Sequence, residues 1–326
     1  MKEQVYTRNR PMNAATQARF VPIQLTQATK TPLRRLRQVG KSSLWIKDET
    51  QQISGAFKFR GSMSFLSRQA VPTGVVTTAS TGNHATGLSL AAREFGYEAR
   101  IFVPEATPEA KQSRIREAGG KITLVKGDYE MALAQATQLA GSGAATLVPS
   151  YDHPDIVAGN RGIFSEIQST LRQAPTRIYA PIGGGGVISG AILEMAGTNA
   201  QIIGVEFDEF ARTHAIVSKK IGEIAPPARP APASVEGIAI RSLGGHTSSI
   251  IGAAQNLKLA AVSAEQMAKA CRLIWQQMGI KAELGACATV AAALADGDQP
   301  GTTVCVVTGG NIGGDVFNAI QNNDNI

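Results

Sequence analysis

Short runs of β-branched and apolar residues that alternate with helical stretches constrain this chain more than any other feature. The strand-like runs are GVVTTAS (74–80), EARIFVP (98–104), KITLVKG (121–127), ATLVPS (145–150), TRIYAPIG (176–183), QIIGVEF (201–207) and TTVCVVTGG (302–310). Several are continuously apolar, as parallel strands covered on both faces must be. Between them lie HATGLSLAAREFG (84–96), ATPEAKQSRIREAGG (106–120) and SAEQMAKACRLIWQQMG (263–279). In the last, Met267, Cys271, Ile274 and Met278 repeat at helical spacing and Gly279 reads as the stop. The alternation implies a doubly wound α/β architecture. The proline-bearing stretch IAPPARPAPAS (224–234) reads as an extended loop inside one unit, because the alternation resumes after it.

At 326 residues the chain is long enough for two lobes. No run of about 18 apolar residues exists, so no membrane span is expected. The N-terminus lacks an apolar core and does not read as a signal peptide. The three cysteines, Cys271, Cys287 and Cys305, have no metal spacing, and their odd number argues against a disulfide framework. A cytoplasmic location is expected. The formal net charge of +7 raises nucleic acid as a partner, and the densest basic stretch is KTPLRRLRQVGK (30–41). Elsewhere basic and acidic residues alternate, and aromatic residues that stack bases make up only 5%. A solvated basic face, or an anionic small ligand, suits this balance better than a nucleic-acid groove. His84, His153, His214 and His246 are too dispersed for a metal set.

Ligands of doubly wound folds bind beyond the C-terminal ends of the strands, and three glycine-rich turns fall there. ASTGNHATG (79–87) leads from a strand into a helix. Its free amides would suit a carboxylate or phosphate, although Ser80 or Thr81 could simply cap the helix. PIGGGGVISG (181–190) holds four consecutive glycines, Gly183 to Gly186, at a helix start. Such a run suits a backbone that approaches an anion closely. A weaker dinucleotide alternative rests on Gly184, Gly186 and Ser189 with Glu206 downstream; it lacks the third glycine of that motif. TGGNIGGD (308–315) places Thr308 at a strand end, or is an ordinary glycine turn. Elsewhere SGAFKFRG (54–61) holds Lys58 among apolar neighbours. A lysine there either snorkels to water or loses hydration and becomes a usable amine. A lysine amine, a tight anion cup and a second anion turn together describe a phosphorylated aldehyde held by the lysine, with a substrate carboxylate beside it.

The chain resembles the fold type II pyridoxal-phosphate enzymes, specifically the serine/threonine dehydratase and serine racemase group. The resemblance runs from TPL (31–33) to TGGN (308–311), with SGAFKFRG, STGNHA and GGGG in the family's order. It implies a two-lobed architecture similar to tryptophan synthase β, each lobe a parallel sheet flanked by helices. Residues 75–150 would form the small lobe carrying the carboxylate loop, and 1–74 with 151–326 the large, cofactor-binding lobe. It implies that Lys58 bonds to the cofactor aldehyde and later serves as base and acid at Cα. Phe57 would pack on one face of the cofactor ring, and Gly237 would leave room on the other. Gly183, Gly184, Gly185 and Gly186 would hold the phosphate, Asn83 the ring 3′-oxygen and Thr308 the pyridine nitrogen. Glu283 would line the site. Ser80, Thr81 and the amides near Gly82 and His84, beside Asn83, would grip the substrate carboxylate. A hydroxyl at the ring nitrogen makes the ring a weak electron sink, which favours rapid loss of a β-substituent. The implied reaction is removal of water and ammonia from a β-hydroxy amino acid such as serine, threonine or 3-hydroxyaspartate, with the leaving hydroxyl protonated from the phosphate side, giving a 2-oxo acid.

Some positions depart from the family pattern. Thr81 stands where racemases carry serine and many dehydratases alanine; its hydroxyl would be a proton donor or a carboxylate ligand. AGNRG (158–162) puts Asn160 and Arg161 near the inter-lobe loop. Arg212 stands where racemases carry a metal-binding acid, which disfavours that cation site although Glu206 and Asp208 remain nearby; no metal is assigned. Leu284 replaces a usual proline. These departures suggest a substrate other than plain threonine, although Arg161 and Arg212 are expected to be exposed and solvated. A homodimer is the family-based expectation. No regulatory domain is expected after residue 326, and hence no end-product feedback through one. The alternatives are an amino-acid racemase or a threonine-synthase-like or β-replacement enzyme using the same cofactor, and a nucleotide- or small-molecule-binding protein without catalysis.

Overall fold

The computed structural model describes residues 30–36, 43–217, 235–240 and 242–322. The proline-bearing stretch 224–234, the N-terminal twenty residues and the end of the basic stretch lie outside these, as does the side chain of His214.

In chain order the elements are β1 (Leu33–Leu36), β2 (Ser43–Asp48), α1 (Lys58–Arg68), β3 (Val75–Ala79), α2 (Asn83–Glu94), β4 (Glu98–Pro104), α3 (Glu109–Glu117), β5 (Lys121–Val125) and α4 (Tyr129–Gly141). They continue with β6 (Thr146–Leu147), α5 (Pro154–Leu171), β7 (Arg177–Pro181), α6 (Gly186–Glu194), β8 (Gln201–Phe207) and α7 (Thr213–Val217). The last are α8 (Gly245–Ala253), β9 (Leu257–Val262), α9 (Ala264–Met278), α10 (Ala288–Ala295), β10 (Thr302–Val307) and α11 (Gly314–Asn322).

Two sheets result. One has the order β5-β4-β3-β6 and is wholly parallel. The other has the order β1-β2-β10-β7-β8-β9 and is parallel except for the β1–β2 pair. The larger sheet is covered by two apolar clusters, one built around Met267, Cys271, Ile274 and Val290, the other around Ile163, Phe164, Ile188 and Ile192. Burial on both faces is why β7, β8 and β10 read as unbroken apolar runs.

All seven strand-like runs form strands, although ATLVPS contributes only two residues to β6. Helix α9 is capped as its sequence implies: Ser263 and Gln266 exchange capping-box hydrogen bonds, and Gly279 adopts φ 64°. Strands β1, β2 and β9 are additional to the runs identified in the sequence. Strand β2 carries Lys47 and Asp48, both buried, so its polar composition hides a central strand. Lys47 belongs to a buried charge cluster in which Arg60 bonds Glu49 (2.7 Å) and Glu166 (2.7 Å). That cluster fixes the first turn of α1, two residues beyond Lys58. Helix α5 crosses α1 so closely that a Cβ on Gly159 would overlap the Arg60 carbonyl. No helix among the described residues is long and apolar enough to cross a membrane.

Candidate active site

Lys58 is the first residue of α1, and the preceding segment is laced to the turn after β10. Phe57 N donates to the Thr308 carbonyl (2.9 Å), Gly310 N donates to the Gly55 carbonyl (2.9 Å), and Ala56 bridges Gly309. The Lys58 Nζ donates to the Ser150 carbonyl at 2.6 Å and lies over the rings of Phe57 (5.1 Å) and Tyr151 (6.0 Å). It has no acidic partner among the described residues. Burial without a counter-charge lowers its pKa to about 8. The lysine is therefore the desolvated amine, not the snorkelling one.

The tetraglycine turn lies between β7 and α6, with Gly185 at φ 95°. Three of the four glycines are needed for space. A Cβ on Gly183 would overlap the Gly237 carbonyl oxygen, one on Gly184 the Tyr151 ring, and one on Gly185 would come within 2.7 Å of Thr247 Cβ. Three consecutive carbonyls of the turn are captured. Gly183 O accepts from Arg212 Nη2, Gly184 O from Thr247 Oγ1 (2.8 Å), and Gly185 O from Ser189 N (2.9 Å). In a trans peptide the N–H points opposite to the carbonyl it is bonded to. Holding these carbonyls turns the amides of Gly184, Gly185 and Gly186 the other way, at the start of a helix. The result is a nest of donors suited to an anion.

The loop after β3 supplies the second candidate turn. Ser80 Oγ accepts from Gly82 N and Ala85 N, each at 3.3 Å, so this serine ties down the first turn of α2, although the N-cap itself is Gly82. Thr81 and Gly82 are partly exposed beside it, and the Thr81 hydroxyl has no partner among the described residues. His84 is buried, its Nε2 3.0 Å from the Val148 carbonyl. Burial, with Lys58 nearby, depresses its pKa to about 3, so its ring is neutral. A Cβ on Gly87 would meet Phe59 N at 2.9 Å, which shows how closely α2 packs on the start of α1.

Asn83 opens α2 and reaches the far side of the cleft. Its Nδ2 donates to Glu283, and its Oδ1 accepts from Asn311 Nδ2 at 2.8 Å. Glu283 also accepts from Asn311 N (3.1 Å), and burial raises its carboxyl pKa. Thr308 is buried at the end of β10. Gly237 has open space where a Cβ would stand, and its carbonyl backs onto Gly183. The structure thus gathers Lys58, the STGNH loop, the tetraglycine turn, Gly237, Glu283 and Thr308 around one cleft.

The solvated placement expected for Arg161 and Arg212 is incorrect. Arg212 is fully buried and ion-paired to Glu206 (2.8 Å), because the backbone after β8 folds it back under the glycine turn. Arg161 is largely covered and paired with Glu194 at 3.0 Å, where α5 packs on α6. Further residues around the cleft had no motif to mark them. Ser150 and Tyr151 lie in a loop, and Asp152 accepts from His246 N (2.9 Å) and Thr247 N (3.1 Å) at the start of α8. Thr247 acts through contacts that arise only on folding, and so does Asn311, although the TGGN motif (308–311) marked it in the sequence.

Residues 25–309 match the family described as pyridoxal-phosphate dependent enzyme. The chain is similar to "L-threonine dehydratase biosynthetic IlvA" of Mycobacterium tuberculosis, 33% identical over 296 residues, covering 87% of this chain and 68% of the relative. It is also similar to the L-threonine ammonia-lyase of Geobacter sulfurreducens, 34% identical over 281 residues, covering 82% of this chain and 67% of the relative. This chain thus spans about two thirds of the length of each. The processed form of threonine deaminase isoform 2 from Solanum lycopersicum shares the fold, with a TM-score of 0.84 at 21% identity over 98% of this chain and 91% of that one. With its fold, its partly buried lysine and its glycine cup, the chain belongs to the pyridoxal-phosphate-dependent enzymes, in the serine/threonine dehydratase group.

Proposed function

We propose that this chain is an ammonia-lyase that eliminates water and then ammonia from a small β-hydroxy amino acid, leaving a 2-oxo acid. The observation that carries the reading is Lys58: an amine with a pKa of about 8, free of any acidic partner among the described residues, in the cleft that holds an anion nest. The residues present fit pyridoxal phosphate. The nest offers amides at a helix start for the phosphate, and the open space at Gly237 leaves room for a planar ring. Phe57, beside Lys58, offers an apolar face. When bound, the cofactor supplies an electron sink that acidifies the Cα–H bond of the amino acid.

This chain's residues provide the rest. Lys58 Nζ is close to its own pKa at neutral to mildly basic pH, so it can both accept and return a proton at Cα. Ser80, Thr81 and the first amides of α2 are proposed to bind the substrate carboxylate, which orients Cα toward Lys58. Asn83, held by Glu283 and Asn311, is proposed to fix the cofactor edge. Thr308 is proposed to face the ring nitrogen with a neutral hydroxyl, which cannot stabilise full charge there. Loss of the β-hydroxyl is thereby favoured over a long-lived charge on the ring. The bonds broken are Cα–H and Cβ–O; the proton goes to Lys58, and the water released at Cβ is balanced by the water that later frees ammonia.

We also propose that residues 75–150 form a small lobe and the remainder a large one, that the enzyme works as a homodimer and that it resides in the cytoplasm. The relatives named for threonine support a hydroxy amino acid as substrate, without choosing among serine, threonine and 3-hydroxyaspartate. The deciding experiment is a screen of these amino acids for 2-oxo acid against D-enantiomer, on wild type and Lys58→Ala. Release of oxo acid by wild type and its loss by about a thousandfold or more in Lys58→Ala is expected. Turnover retained by Lys58→Ala, or D-enantiomer as the main product, would refute the reading.

A further inference from the structure

The resemblance allowed for a divalent cation after the strand ending in VEF, but the residues present do not fit one. Glu206 already accepts from Arg212 Nη1 (2.8 Å), from Thr213 Oγ1 (2.8 Å) and from the backbone N–H of both residues. Arg212 Nη1 also donates to the Phe210 carbonyl at 3.2 Å. A guanidinium therefore occupies the space between the oxygens that a metal ion would need. Asp208 is exposed and its Oδ1 accepts from Glu209 N at 2.8 Å. No cluster of three His, Cys, Asp or Glu suited to a metal occurs among the described residues.

The other end of the same guanidinium reaches the cofactor cup. Arg212 Nη2 donates to Gly183 O, the first of the three captured carbonyls, and its charge also acts on Tyr151, whose ring fills the space beside Gly184. Stability alone is a poor reason for this arrangement. A buried ion pair is often no more stable than apolar residues of the same size, and here Arg212 Nε is buried with no partner among the described residues. We propose that Arg212 is a positioning residue for the anion cup, a built-in cation that stands where a metal ion would and holds Gly183 O outward so that the amides of the turn face the phosphate. The proposal rests on the pyridoxal-phosphate reading above and deepens it: cofactor retention in this enzyme is independent of divalent cations.

The test compares binding of pyridoxal phosphate and of pyridoxal, its analogue without phosphate, to the apoenzyme by absorbance titration. Wild type, Arg212→Lys and the pair variant Glu206→Gln/Arg212→Met are titrated, each with EDTA and with magnesium. The pair variant leaves no unpaired buried charge, and its melting curve reports whether the fold is kept. In wild type, preference for the phosphorylated form with no response to EDTA or magnesium is expected. In both variants, phosphate-form affinity is expected to fall tenfold or more while pyridoxal affinity changes less than twofold. Variants that bind both forms as wild type does, or lose both in parallel, overturn the positioning role. A wild type that gains affinity with magnesium overturns the built-in cation, and this arm needs no variant. A wild type that does not prefer the phosphorylated form would instead count against the cofactor reading itself.

Discussion

Asn83 and Glu283 lie 200 residues apart in the chain, yet the Asn83 amide donates to both carboxylate oxygens of Glu283, at 2.9 and 3.0 Å. The bond joins the start of α2, just after the C-terminal end of β3 in the smaller sheet, to the segment beside the turn after β10. Glu283 also accepts from the Asn311 backbone N–H, so one carboxylate holds both the Asn83 side chain and the backbone of the turn after β10.

Removing that carboxylate should loosen both. Hydrogen bonds to a charged group contribute about 1.5–3 kcal/mol. For Glu283→Ala, kcat on the best substrate is expected to fall by about ten- to a hundredfold, measured by steady-state release of 2-oxo acid. An unchanged kcat would show that Asn83 is held well enough by Asn311 alone.

The Lys58 amine should titrate far below a surface lysine. Burial lowers its pKa from 10.5 to about 8, so the neutral, nucleophilic form predominates above about pH 8. Competitive labelling of the apoenzyme with trinitrobenzenesulfonate, followed by peptide mapping, is expected to show half-maximal reactivity of Lys58 near pH 8. A midpoint near 10 would contradict the uncompensated burial described above.

His84 should make the fold acid-sensitive. Its pKa is about 3 in the folded protein against 6.5 when exposed, with burial the main cause. Below pH 6.5 the unfolded chain takes up a proton that the native state refuses, so stability falls as pH drops. Above that pH the residue imposes no such cost. Between pH 6.5 and 5 the loss from this residue is about 1.5 kcal/mol. Urea unfolding across that range is expected to be less pH-dependent in His84→Asn than in wild type, and equal slopes would count against a buried neutral ring.

Two glycines near each other should respond differently to alanine. A Cβ on Gly183 would overlap the backbone carbonyl of Gly237, which cannot move aside without distorting the cup. Overpacking of this kind costs about 1–3 kcal/mol, so Gly183→Ala should lower both the melting temperature of the apoenzyme and cofactor affinity. At Gly237 a Cβ meets nothing within 4 Å. Gly237→Ala is therefore expected to leave apoenzyme melting unchanged while weakening cofactor binding, since the methyl would enter space proposed for the ring. Normal cofactor affinity in Gly237→Ala would remove that glycine from the site.

Much of the site was legible because its chemistry needs special residues at fixed places in the chain. A run from Gly183 to Gly186 is hard to explain without close backbone approach, and a lysine in SGAFKFRG stands out among apolar neighbours. Ser150, Tyr151 and Thr247 gave no such signal. They are ordinary residues in ordinary loops, and they matter because Asp152 pins their two segments together. Strand β2 was hidden for a related reason, since Lys47 and Asp48 look like surface residues until their partners, Glu166 and Arg34, are known.

The chain's own pattern of apolar runs, helix stops and glycine turns determined the α/β architecture and marked the candidate site residues, because periodicity and backbone freedom are local properties; the family followed from the resemblance of its motifs. Only the tertiary structure decided how those residues are charged and aimed. Lys58 loses its proton easily because residues distant in sequence exclude water from it without offering an acid. The glycine amides face one way because Arg212 and Thr247 hold the carbonyls. Arg212, which the sequence alone made a solvated surface residue, is buried because folding places Glu206 and Gly183 around it, and solvation and electrostatic pairing depend on neighbours in space.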